Sequence, residues 1–217
     1  MLKIRRLALA AILLIGYAPM PALAAPPAAA QNHEQSLATP VGKFIQQLGD
    51  QAIAVIADKN LNQDQRTDKF RDMLSTSFDL PTIGRFVIGR SWNAASPGQQ
   101  QEYMKLFEQV VLKTYGDRLN LCSGEEFHVK NVRPESEKDS IVGSEITHAD
   151  NSEPTKVDWR VRQQNGKLAV IDVVVEGVSQ SVTQRDEYMS IVQRDGGRLD
   201  GLLDLMRKQV QDQQQSQ

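Results

Sequence analysis

The stretch LAVIDVVVEGVSQSVTQRDEYMSIVQRD, Leu168–Asp195, decides how the rest of the chain is read. It passes from a strand of branched aliphatics through a Gly177-Val178-Ser179 corner into an amphipathic helix. Between Ala169 and Val175 only Asp172 interrupts the apolar run. A strand with one wet face alternates, so a nearly continuous run predicts cover on both faces, by protein or by an apolar ligand.

Upstream, Val157, Trp159 and Val161 alternate with Asp158, Arg160 and Arg162, and Asn165-Gly166 marks a hairpin turn. The loop length sets which faces meet. Two residues would place Trp159 opposite Asp172, whereas three, Gln164-Asn165-Gly166 with a bulge at Gly166, match apolar with apolar. The three-residue turn is therefore expected. It puts Trp159 and Val161 on the face of Ala169, Ile171 and Val173, and Asp172 beside Arg160. Inside an aliphatic strand Asp172 needs a partner, and Arg160 and Arg185 are the candidates. Phe127–Val132, Ile141–Thr147 and Thr155–Arg162 complete a meander of four strands with Lys167–Val175.

The first half has a helical period. Phe44, Ile45, Leu48, Ala52, Val55 and Ile56 make one stripe, and Phe70, Met73, Leu74 and Phe78 a second. Asp79-Leu80-Pro81 starts a short apolar helix ending near Gly89-Arg90-Ser91-Trp92. Ser96-Pro97-Gly98-Gln99 is a capping box opening a long helix to about Leu119. After the meander, Tyr188, Ile191 and Val192 lie on a helix stopped by Asp195-Gly196-Gly197, and Leu199, Leu202, Leu203 and Met206 on a last one. The expectation is a single α+β domain over 41–208, with N-terminal helices packed on a four-stranded antiparallel sheet and C-terminal helices after it. A Pro- and Ala-rich leader at 25–40 and a Gln-rich tail at 209–217 are expected to lack order.

Residues 1–24 read as a secretory signal peptide: Lys3, Arg5 and Arg6, a short apolar run, then Ala22-Leu23-Ala24. The run is too short for a membrane span. Its removal takes three of the 25 basic side chains, leaving 22 against 27 acidic ones, a formal −5. A soluble exported chain of that charge has no global field for nucleic acid or anionic membrane. Cys122 is the lone cysteine, so no intramolecular disulfide forms.

Signals for chemistry are thin. The histidines are His33, His128 and His148. Glu145 and His148 have helical ligand spacing but sit at a strand end, where they face opposite ways, and metal sites need three or four converging groups. No phosphate loop or nucleophile elbow occurs. Arg85, Arg90, Arg185, Arg194 and Arg198 fall at or near helix ends, where they suit helix carbonyls or an anionic partner. Apolar side chains are in greater supply than charged convergence points, and from periodicity alone plain core packing accounts for them better than a ligand cavity does.

Two motif blocks go further. Phe78–Phe107, FDLPTIGRFVIGRSWNAASPGQQQEYMKLF, resembles the Phe-Asp…Gly-Arg-x-Trp…Gln…Phe signature of the MlaC/Ttg2D family. Asp158-Trp159-Arg160, Asn165-Gly166-Lys167, Ile171-Asp172-Val173, Glu176-Gly177-Val178-Ser179, Arg185-Asp186-Glu187-Tyr188 and Asp200-Gly201-Leu202-Leu203 resemble its second signature. The resemblance covers roughly Val41 to Lys208. It implies a periplasmic phospholipid carrier of an ABC-transport system that maintains outer-membrane lipid asymmetry, with acyl chains in an apolar cavity between sheet and helices. A related branch is associated with hopanoids. Leu168 departs from a frequent aromatic, and Thr183-Gln184 from a common Asn-Tyr, which bears on the cargo.

The resulting expectation is a monomeric, non-enzymatic lipid carrier with no cofactor beyond its lipid cargo. Its partners would be an inner-membrane ABC transporter with an MCE-domain subunit and an outer-membrane lipoprotein complex. Helix and strand faces place Phe86, Val87, Val110, Val111, Tyr115, Ile171, Val173, Tyr188, Ile191 and Val192 in the lining. The rivals are a hopanoid carrier, an interaction module with a filled core, and an enzyme on a cone-shaped α+β fold using His128 or Asp172.

Overall fold

The computed structural model describes residues 35–116, 125–150 and 152–214. The signal-peptide residues, His33, Cys122 and residues 117–119 of the expected long helix lie outside them.

The first helix, α1 (Pro40–Ala57), starts where Thr39 accepts from the Gly42 N–H at 2.9 Å and Pro40 fills a position that needs no donor. Part of the expected leader is therefore ordered: residues 35–38 form a helical turn, and Ser36 is buried. Helix α2 (Gln63–Ser77) opens with a reciprocal Asn62–Gln65 capping box. In α3 (Leu80–Ile88), Asp79 accepts from the Thr82 N–H at 3.0 Å, as its sequence suggested. Gly89 turns the chain into the single turn α4 (Arg90–Ala94), and the Ser96–Gln99 box opens α5 (Pro97–Gly116).

Strands β1 (Glu126–Pro134), β2 (Asp139–Thr147), β3 (Thr155–Gln164) and β4 (Lys167–Val175) form the expected antiparallel meander, and a two-residue β5 (Val178–Ser179) adds a fifth strand in the order β1-β2-β3-β4-β5. Helices α6 (Gln180–Arg194) and α7 (Asp200–Gln214) close the chain. The expected tail is helical through Gln214. Glutamine is a good helix former, and Val210 packs onto the core beneath it.

The hairpin corrects one expectation and keeps its consequence. The turn is the two-residue Asn165-Gly166, with φ of 53° and 76°, and Gln164 pairs with Lys167. From the turn, Val161 pairs with Val170. The register then shifts, so that Arg160 pairs with Asp172 and Trp159 with Val173. The extra residue is therefore Ile171, in mid-strand, not Gly166 in the turn. A β-bulge there puts Val170 and Val173 on one face, while Ile171, also buried, leaves that face.

One face of the sheet carries Phe127, Val129, Val142, Val161 and Val170, packed against Ile45, Leu48 and Met73. Gly49 makes this docking possible: a Cβ there would stand 2.1 Å from the Phe127 ring. The opposite face is charged. Asp139, almost fully buried, receives Arg162 Nε at 2.7 Å and Arg160 Nη2 at 3.1 Å, and Glu145 pairs with Lys130. The Arg162 bonds, with Arg160 adding to them, hold the Asp139 carboxyl below the usual carboxylate range.

Both sheet edges are occupied by the helical layer. Along β1 the Gln46 amide donates to the Phe127 carbonyl and accepts from the Val129 N–H, both at 3.0 Å. Along β4, where β5 pairs only with Val174 and Val175, the Asp79 N–H donates to the Val170 carbonyl at 3.0 Å. Each contact satisfies groups that would otherwise invite another strand.

Candidate functional site: a seam between two apolar cores

The buried apolar residues form two clusters. One lies between α1, α2 and the sheet. The other is built mainly from helices and joins α3, α5, α6 and α7 through Val87, Tyr103, Phe107, Val110, Tyr188 and Val192, with Leu202 and Met206 behind. Phe78, half-buried at the joint between α2 and α3, packs against both. Its backbone bridges Val170 on β4, so the joint is fixed to the sheet where the two cores meet.

The expected lining residues divide across this boundary. Val87, Val110, Tyr188 and Val192 are buried in the helical cluster, with Val111 and Ile191 half-buried against it. Val173 packs against the sheet cluster. Tyr115 is half-buried on the last turn of α5. Ile171 is buried as the bulge residue, off the Val173 face where it was expected. Phe86 stands apart from both clusters: it is 43% exposed. Its ring lies 5.1 Å beneath the Arg185 guanidinium, whose Nη1 donates to the Phe86 carbonyl at 2.6 Å. Because α3 buries its face through Leu80, Gly84, Val87 and Ile88, Phe86 falls outside that stripe.

Asp172 is also corrected. Its carboxylate receives the Ser179 hydroxyl at 2.6 Å, the Ser181 N–H at 3.1 Å and the Val173 N–H at 2.9 Å, so its partner is the start of α6 rather than an arginine. A carboxylate at a helix N-terminus is favoured by the free N–H groups there. Arg160 is instead engaged by Glu135 and Asp139. The sheet is thus tied to α6 through Asp172, and α6 to α3 through Arg185.

Sequence reading missed Phe78 and Trp159 as site residues. Trp159 donates from Nε1 to Ser144 Oγ at 2.9 Å and meets the Phe127 ring edge-on at 6.0 Å. Both stand inside the quoted motifs, and that was the available signal. Two of the other helix-end arginines have structural partners: Arg85 lies 5.0 Å over the Trp92 ring, and Arg198 pairs with Asp195 at 3.0 Å.

Chemistry-bearing groups are dispersed. His148 contacts Glu125 at 3.3 Å and Thr155 at 2.9 Å, and His128 contacts Glu126 at 3.2 Å. Among the described residues no three His, Cys, Asp or Glu side chains converge as a metal site, and no helix is long and apolar enough to cross a membrane. An open polar hollow of about 460 Å³ lies elsewhere, lined by Ser136, Glu137, Lys138, Arg162 and Gln164.

The arrangement defines a class: an antiparallel α+β meander whose apolar interior is split into a sheet-side and a helix-side core. Residues 46–208 match the MlaC protein family, and the chain belongs to it. It is 25% identical to the toluene tolerance protein Ttg2D of Pseudomonas putida over 138 residues, a match spanning 63% of this chain and 64% of that relative's length. The fold is that of the phospholipid-binding protein of Ralstonia solanacearum, solved in complex with a phospholipid. The TM-score is 0.69 at 22% identity, covering 80% of this chain and 98% of that one.

Proposed function

We propose that this chain is a periplasmic phospholipid carrier that holds acyl chains between its two apolar cores. The observation that carries the reading is the seam itself: Phe78 packs on both cores, and half-buried Val111, Ile191 and Val173 border them. A lipid entering there would lie between two clusters that are each packed within themselves. Family membership and the phospholipid held by the Ralstonia relative support the choice of cargo.

The energetics suit a shuttle. At ~0.8 kcal/mol per methylene, two long acyl chains cost on the order of 20 kcal/mol to expose to water. That is near the ceiling of non-covalent affinity, so the pocket need only match the membrane to lower the barrier for crossing water. Direction then comes from the partners that load and empty it, here an inner-membrane ABC transporter with an MCE-domain subunit and an outer-membrane lipoprotein complex. A formal −5 after removal of the expected signal peptide disfavours dwelling on anionic bilayers.

Native mass spectrometry and lipid extraction of the protein purified from a bacterial periplasm test the proposal. Co-purified diacyl phospholipid is the expected result. Hopanoid in its place selects the rival cargo, and no lipid under any condition overturns the carrier reading.

A further inference from the structure

Tyr188 carries a polar group that the core does not use. Its side chain is 3% exposed in the helical cluster, and its hydroxyl is buried without a hydrogen-bond partner. Tyr103 in the same cluster is the contrast: equally enclosed, its hydroxyl donates to the Gly84 carbonyl at 3.0 Å. A buried hydroxyl left unpaired costs roughly 1–3 kcal/mol, so phenylalanine would suit a merely structural position better. Burial also pushes the Tyr188 phenol well above its ordinary value, with Glu187 and Tyr115 adding to the shift, so it stands as a protonated donor at any physiological pH.

The surroundings limit what can accept that proton. Apart from Tyr103, whose hydroxyl is bonded to Gly84, the buried cluster around Tyr188 is apolar, with Val110, Val192 and Leu202 among its members and Ile191 and Val111 against it. A phosphate or free carboxylate brought in among them would be an uncompensated buried charge. A neutral acceptor flanked by hydrocarbon fits, and a fatty-acyl ester has that form. A carbonyl-free triterpenoid skeleton would leave the hydroxyl unpaired.

We infer that the Tyr188 hydroxyl is a hydrogen-bond donor built into the apolar wall, which takes the acyl ester carbonyl of a glycerolipid and so selects ester lipids over carbonyl-free ones. The inference rests on the reading of this chain as a phospholipid carrier and deepens it by assigning the group that recognises the cargo class.

The test compares dipalmitoyl phosphatidylglycerol with dihexadecyl phosphatidylglycerol, its ether analogue lacking both carbonyls. Each is presented in vesicles to delipidated full chain, and bound lipid is quantified by mass spectrometry. The wild type is expected to favour the ester by roughly fivefold, the worth of one hydrogen bond. In Tyr188→Phe the preference falls to unity, while Tyr103→Phe keeps it. Because the readout is a ratio within one protein, a general loss of stability cancels. Equal ester preference in wild type and Tyr188→Phe overturns the inference while leaving the carrier intact. Failure of the wild type to take up either lipid overturns both.

Discussion

Replacing Gly89 by alanine should cost far more than the methyl group suggests, because two constraints meet at that residue. Gly89 has φ 49° and ψ −122°, a conformation that L side chains rarely adopt. Holding alanine there costs roughly 1–3 kcal/mol. In addition, its Cβ would lie 2.8 Å from Arg185 Nη2 and 3.0 Å from Nη1. An arginine tip can ordinarily swing away, but this one is held by its bond to the Phe86 carbonyl and its stacking on the Phe86 ring. Displacing it forfeits about 1 kcal/mol more, given its partial exposure. The expected loss is about 2–4 kcal/mol, read from the urea midpoint at unchanged slope. The decisive assay is a double-mutant cycle: in an Arg185→Ala background, Gly89→Ala should cost about 1 kcal/mol less. If the two losses add to within ~0.3–0.5 kcal/mol, the guanidinium is not clamped on Gly89 and the account of this clasp fails.

Three further outcomes are expected. Val173→Glu should keep the far-UV circular dichroism largely intact and abolish retention of co-purified lipid; unchanged retention would remove Val173 from the site. Asp172→Ala deprives the start of α6 of its anchor and should lower stability by about 2–3 kcal/mol, with faster amide exchange in the first turn of α6 than in α5; equal protection would refute the anchoring role. Asp139 adds acid sensitivity. Arg162, and then Arg160, hold its carboxyl below the value it has in the unfolded chain, ~3.9, so its stabilisation is present above that value and lost as pH falls through the folded one. Asp139→Asn should therefore be less stable than wild type at pH 7, with the gap narrowing towards pH 3; a constant gap would refute the ion-pair origin.

Much of the scaffold was legible because its causes are local. Asp79 and Ser96 cap helices through atoms three residues away, and Asn165-Gly166 marks the turn, although the turn is shorter than the one expected. Helical and strand periods likewise need only neighbouring residues, which is why the order of helices, meander and closing helices could be read in advance. Of the expected lining residues, Val87, Val110, Tyr188 and Val192 fall together in one buried cluster. Phe86 falls outside the buried stripe of α3, since a short helix dense in apolar residues offers more than one plausible stripe.

By itself, then, the sequence determined the α+β composition, the boundaries of most elements and, through its two motif blocks, the family. Tertiary structure decided where the extra residue of β4 sits, which partner Asp172 takes, and how the apolar residues divide into two cores joined at Phe78. The physical reason is range. Moving the bulge from Gly166 to Ile171 keeps Trp159 facing Val173 while letting Val170 meet Asp79 and Phe78, residues some ninety positions away. No local pattern encodes that compromise, because it is set by surfaces that meet only when the chain is folded.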